Sequence, residues 1–395
     1  MPKPLWLLVI GMIINVTGAS FLWPLNTVYI HDHLGKTLTI AGLVLMGNAG
    51  AGVIGNLIGG ALFDRVGGYR SILFGIGVTF TSSLGLVFFH SFIPYLIFLI
   101  LLGFGGGMVF PSMYAYAGTV WKEGGRKAYN AMYVAQNVGV AVGAAAGGLL
   151  ASFNFTWIFI GNTVMYLIFF VIAVIGYRNL THNSASPVVK SVLDERLVIK
   201  SKSRFRALIW LCIAYFICWL AYVQWQSTIA SFTQDIGISL SHYSLLWTVN
   251  GALIVLGQPL LSFVVKNWLR FTKTQIIVGI SIFMISFLVA SQSHAFIGLM
   301  TAMVILTIGE MLVWPAVPTI AGELAPKGRE GFYQGVVNST ATGGRMFGPI
   351  VGGLIVDLTG IQSMFYVIFF LLIISLFIAV IHDRKIVPEA SSQVA

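Results

Sequence analysis

The sequence predicts an all-α polytopic membrane protein, with twelve transmembrane helices in two pseudo-symmetric six-helix bundles and both termini cytoplasmic. Three observations predict it: composition, a one-sided distribution of loop charge, and an internal repeat. Of 395 residues, 57% are hydrophobic and 9% charged, whereas a soluble domain carries about 25% charged residues. So few charges cannot cover a soluble core of this length, and the same composition excludes disorder. Two cysteines exclude a disulfide framework.

Twelve stretches reach the roughly 20 apolar residues that a spanning helix requires. Span one (5–30) is too long and too weakly flanked for a cleaved signal peptide, and places Asn15 and Asn26 on one face. Span two (39–63) carries a small-residue stripe at Gly47, Ala51, Gly55 and Gly59, and span three is 71–89. Span four (93–120) contains Pro111 and Ala117-Gly118; span five (129–151) holds Asn130, Asn137 and the glycine series Gly139, Gly143, Gly147. Span six (157–177) completes the first bundle, 1–177. A basic cytoplasmic linker, 178–206, carries seven Lys/Arg against Asp194 and Glu195 and reads as a solvated segment near anionic headgroups.

The second bundle, 207–381, opens with span seven (207–232), which holds Gln224, Trp225 and Gln226. Span eight (243–265) holds Trp247 and Asn250, and span nine is 274–291. Span ten (296–321) places Thr307, Glu310 and Trp314 on one face. Span eleven (332–356) adds Asn338, Thr342 and Arg345 to the series Gly344, Gly348, Pro349, Gly352. Span twelve is 364–381, and 382–395 forms a cytoplasmic tail. The continuous apolar runs favour helices over barrel strands.

Loop charge fixes the orientation. With the N-terminus inside, 20 of the 22 Lys/Arg fall on cytoplasmic segments; the exceptions are Lys36 and Arg345. This is the positive-inside asymmetry, and it accounts for the net charge of +10 without nucleic acid. The repeat is equally direct: Pro111, Ala117-Gly118, Gly125-Arg126 and Gly139 recur as Pro315, Ala321-Gly322, Gly328-Arg329 and Gly344. A spacing of 203–205 residues, with one two-residue slip, held by four independent landmarks indicates duplication, and in such architectures the substrate site lies at the interface of the halves, near the bilayer midplane. The glycines, four residues apart, let neighbouring backbones approach closely.

The loop after span two, with Gly60, Asp64, Arg65, Gly67 and Arg70, resembles the G-x-x-x-D-R-x-G-R-R signature of the major facilitator superfamily, although Arg70 sits one position late. Residues Gly344 to Gly353 are similar to the G-x-x-x-G-P-x-x-G-G pattern of its drug:proton antiporter branch; the span-five copy has Ala144 in place of proline. The resemblance implies the major facilitator fold, and it implies that Asp64 meets the start of span eleven as a cytoplasmic gate for the outward-facing state. The branch's span-four arginine is absent, because Leu99 occupies its register before Gly103.

A charge at the centre of a span costs about 2.5–3.5 kcal/mol on insertion scales, so Glu310, the one acid near mid-span, is the candidate proton-coupling residue. Counting helical rise places Arg345 within about one turn of its depth, and the two are expected to pair. Amides and aromatics at Asn15, Asn26, Asn137, Gln224, Trp225, Asn250, Trp314 and Asn338 describe a cavity for amphipathic solutes; each could equally be a helix–helix hydrogen bond.

Gly35-Lys36-Thr37 lacks the upstream glycine of a P-loop, and no G-x-G-x-x-G occurs. His31-Asp32-His33 reads as a wet interfacial loop and Cys212 and Cys218 as packing, so no cofactor, metal or nucleotide is expected. The expected function is secondary active efflux of small molecules coupled to protons, in a bacterial cytoplasmic membrane. A lipid or glycolipid flippase, or an exporter of metabolites or sugars, is the alternative on the same fold. A polytopic enzyme is disfavoured because no catalytic cluster assembles.

Overall fold

The computed structural model describes residues 1–22, 26, 29–36, 38–153, 155–178, 180, 202–238 and 240–383. Most of the 178–206 linker and nearly all of the 382–395 tail lie outside the described residues. The first half folds as α1 (Lys3–Leu22), α2 (Leu38–Val66), α3 (Gly68–Phe88), α4 (Phe92–Val120), α5 (Arg126–Phe153) and α6 (Phe155–Ile172). The second comprises α7 (Lys202–Tyr222), the short α8 (Thr228–Asp235), α9 (Leu240–Leu256), α10 (Gln258–Asn267) and α11 (Thr272–Ser291). It ends with α12 (Phe296–Leu324), α13 (Glu330–Thr359) and α14 (Ile361–Ile381).

Among the described residues, nine helices are long and apolar enough to cross a membrane, or ten if the bent pair 245–256 and 258–267, which meet at 56°, makes one span. The expected count was twelve. The shortfall falls on α5 and α13, which are 28 and 30 residues long but interrupt their apolar runs with amides, glycines and, in α13, Arg345. Phe74, Ile97, Ile175, Phe370 and Phe377 stand exposed on the outside, a belt of large apolar side chains that suits lipid rather than water.

The repeat is visible in the packing. In α3, a side chain at Gly75 would strike Val109 and Gly105 of α4; in α11, one at Gly279 would strike Val313 and Gly309 of α12, each 204 residues on. Gly139, Gly143 and Gly147 bring α5 onto Ile13, Thr17 and Phe21 of α1. Gly344, Gly348 and Gly352 bring α13 onto Trp219, Val223 and Gln224 of the α7 segment. Gly125 and Gly328, the paired turn residues, both adopt positive φ, 44° and 79°, which an L side chain resists.

The buried apolar residues form one cluster in the second half and two in the first. Among the described residues, Tyr133 of α5 is the one buried first-half residue that joins the second-half cluster. At the end of α14, Asp383 forms an ion pair with Lys273 at the start of α11. Burial pushes the Asp383 carboxyl up, but the hydrogen bond from Lys273 and the nearby His382 outweigh it, and the net shift is downward.

Candidate functional site

The halves meet along α2 and α13 and along α5 and α12. Asp64, near the end of α2, accepts hydrogen bonds from the first free N–H groups of α13: Gly331 N to Oδ1 at 2.7 Å and Phe332 N to Oδ2 at 2.8 Å. These groups have no partner within their own helix, and the helix dipole favours a carboxylate there. Gly60 makes the approach possible, because a Cβ at that position would collide with the Gly331 backbone. Gly67 turns the chain between α2 and α3 at φ 87°, while Arg65 and Arg70 lie exposed at the same end. Deeper along the seam, Ser339 Oγ donates to Val53 O at 3.2 Å and Asn56 Nδ2 to Thr342 Oγ1 at 3.3 Å.

On the other side of this closed end, Pro315 lies within α12. Proline has no N–H, so the carbonyl four residues earlier loses its helical donor. That carbonyl is Met311 O, and Arg126 of α5 donates to it from the opposite half at 3.0 Å. Asn130 Nδ2 donates to Gln258 Oε1 at 2.9 Å. Tyr129 places its hydroxyl where side chains at Gly118 and Gly322 would otherwise lie. It lines a cavity of about 200 Å³ with Thr319, Glu323, Glu330 and Lys122. The cross-half bonds named here run from the Asp64 end up to Met311 and Thr342, near the middle of α12 and α13.

Glu310 sits above this closure, 3% exposed. Its Oε1 accepts from Tyr133 Oη at 2.9 Å, across the halves, and its Oε2 accepts from Asn250 Nδ2 of α9 at 2.9 Å. Asn250 also donates to Thr307 Oγ1 at 2.9 Å. Tyr222 faces the same carboxyl.

The expected Glu310–Arg345 pair is not formed. Arg345 lies over the Trp219 ring at 4.9 Å, and Trp219 is stacked on Trp314 at 4.6 Å. Depth along the helices is similar, but the aromatic stack occupies the space between them. Arg345 is exposed.

The proposed cavity residues divide by environment. Asn250 and Trp314 border Glu310 directly or through Tyr222, whose ring meets Trp314 at 5.4 Å. Asn137 donates to Tyr133 O and Asn338 to Gln334 O, bonds within their own helices. Asn15 is buried in α1. Asn26 accepts from Tyr95 Oη at 2.9 Å inside the first half. Gln224 and Trp225 are wholly buried, and Gln224 donates to Gly348 O at 2.8 Å. Gln224 therefore serves the α7–α13 seam rather than an open cavity, admitted by the missing side chain at Gly352, and Trp225 packs in the second-half core. Sequence reasoning missed Tyr133, Arg126 and Tyr222 as participants. Tyr133 shares a face with Asn130 and Asn137, a spacing that could have found it; the freed Met311 carbonyl could be read from Pro315, but its donor Arg126 could not, and Tyr222 left no signal.

Two bundles of apolar helices, locked at one end and holding a buried carboxyl across their seam, have the form of a membrane transporter. The chain belongs to the major facilitator superfamily: the family model of that description matches residues 8–342 and, in a second match, 226–394. It is 60% identical to the MFS-type transporter YttB of Bacillus subtilis strain 168 over 386 residues, covering 98% of this chain and 96% of that protein. It is 24% identical to Multidrug resistance protein 1 of the same organism, covering 90% of each. Among solved structures, a bacterial homologue of the iron transporter ferroportin, in an outward-facing state with soaked iron, superposes with a TM-score of 0.77. That match has 13% identity and covers 98% of this chain and 100% of the other.

Proposed function

We propose that this transporter exports amphipathic small molecules from a bacterial cell by alternating access, in exchange for protons carried on Glu310. The observation that carries the reading is the Glu310 carboxyl, which accepts hydrogen bonds from both halves of the molecule. An ionised carboxylate accepts at both oxygens, whereas a protonated one turns an acceptor into a donor. The Tyr133 hydroxyl accepts as well as donates, so protonation leaves a neutral hydrogen bond in place of a charge-assisted one and weakens the hold between the halves at this point. Ion loading and conformation are thereby tied to one contact.

Positive-inside charge makes the Asp64 end cytoplasmic, and on that assignment the closed end corresponds to an outward-facing state. The name of Multidrug resistance protein 1 agrees with efflux as the direction and amphipathic solutes as the cargo. The test is solute transport in proteoliposomes under an imposed pH gradient, using a panel of candidate solutes. Glu310→Gln should insert normally and lose acceleration by the gradient. Full gradient-driven transport by that variant would place the coupling group elsewhere.

A further inference from the structure

The two charged groups near the centre of the molecule differ in what they offer a ligand. Glu310 is closed off, with both oxygens engaged and Tyr222 against it. Arg345 is open. It lies 15 residues into the 30-residue α13, about 22 Å from the helix start, too deep for its side chain to reach the bilayer surface. Its hydrogen bonding among the described residues is one long contact, Nη2 to Thr342 Oγ1 at 3.5 Å. No carboxylate forms an ion pair with it there, and Asp357 lies about 18 Å further along the same helix. A guanidinium carries five donors in a planar fork and stays charged. One face rests on Trp219, Tyr215 and Tyr222 stand close enough to act on its charge, and the residue as a whole keeps exposed surface.

The face of α13 that carries Arg345 is the central one. Thr342, one turn earlier, meets Asn56 of the first half. Gly344 packs on Trp219, and Tyr222 of the same aromatic group touches Glu310. Arg345 therefore projects above the closed seam, on the side away from Asp64, beside the half-buried Trp219 and, past Tyr222, Trp247, whose ring centroid is 6.1 Å from that of Tyr222.

We infer that Arg345 binds the anionic head of an amphipathic solute, a carboxylate or sulfonate, with the solute's apolar body against Trp219 and Trp247. This rests on the transport reading above and names the class of cargo. A planar anion matches the fork with two parallel hydrogen bonds, and an unpaired charge at this depth is otherwise costly. A cationic solute finds a repelling guanidinium and no free carboxylate.

The test uses three dansyl probes of one fluorophore: dansylglycine (anionic), dansylglycinamide (neutral) and dansylcadaverine (cationic). Binding to the full-length protein in detergent is read by energy transfer from tryptophan. The wild type should bind dansylglycine about tenfold more tightly than the amide, as expected for a charge-assisted pair. Arg345→Gln should erase that preference, so that dansylglycine and the amide bind alike, with no fall in the thermal unfolding midpoint. Arg345→Lys should restore part of it. Equal affinity of the wild type for all three probes would overturn the proposal, as would a preference that survives Arg345→Gln. If phosphatidylglycerol, but not phosphatidylcholine, displaces dansylglycine from the wild type and not from a residual site in Arg345→Gln, the site belongs to a lipid headgroup and the solute assignment falls. These results do not depend on a gradient, so Glu310→Gln can fail its own test while the anion preference stands.

Discussion

At the scale of the residue, Tyr133 does the work that helical counting assigned to Arg345. Rise per residue fixes depth but not azimuth, and azimuth decides that Trp219 and Trp314 stack between the two charges. Glu310 itself was legible as a candidate because a lone acid in an apolar span stands out. Its partner was not, because a tyrosine in a chain containing 14 of them carries no such mark. Tyr133→Phe removes one hydrogen bond to a charged group, worth about 1.5–3 kcal/mol. The initial rate of gradient-driven transport in proteoliposomes should fall about tenfold or more, with normal insertion. A rate equal to that of the wild type would sever Tyr133 from the coupling.

Between elements, the glycine series is the feature the sequence displayed most clearly, and its members differ in what a side chain would meet. A Cβ at Gly348 would meet the Val223 side chain first, with Leu220 O 3.3 Å away, and a side chain can turn. At Gly143 it would meet Thr17 O at 2.5 Å and Ser20 Cβ at 2.6 Å, and backbone cannot. Gly143→Ala is therefore expected to destabilise by about 1–3 kcal/mol, the range for overpacking, and Gly348→Ala by less. Thermal unfolding in detergent compares them; a lower midpoint for Gly348→Ala would reverse the ranking.

Across the whole molecule, the closed end is held by bonds of two polarities: a carboxylate on the start of α13, and a guanidinium on the carbonyl that Pro315 frees in α12. The first was legible in the Gly60–Arg70 loop. The second was not, since Arg126 looked like one more positive-inside residue. Asp64→Asn leaves shape intact but discards the charge, a loss of about 1–2 kcal/mol for a partly buried carboxylate at a helix start. Thr319, buried at the closed end, reports the state: with Cys212 and Cys218 replaced by alanine, Thr319→Cys should react faster with a maleimide when Asp64→Asn is present. Unchanged labelling would leave Asp64 as a local cap.

Tyr129 occupies a place that the duplication offers only once. Its hydroxyl fills the gap left by Gly118 and by Gly322, which correspond across the repeat, and so it stands on the axis relating the halves. Its own counterpart, Tyr333, turns away to pack against Phe205 at 6.1 Å. Two identical subunits meeting at this axis would bring two phenols to a space that holds one. A single chain can let its copies diverge, so the sealed end of this transporter is a point where symmetry has to break for the seal to form.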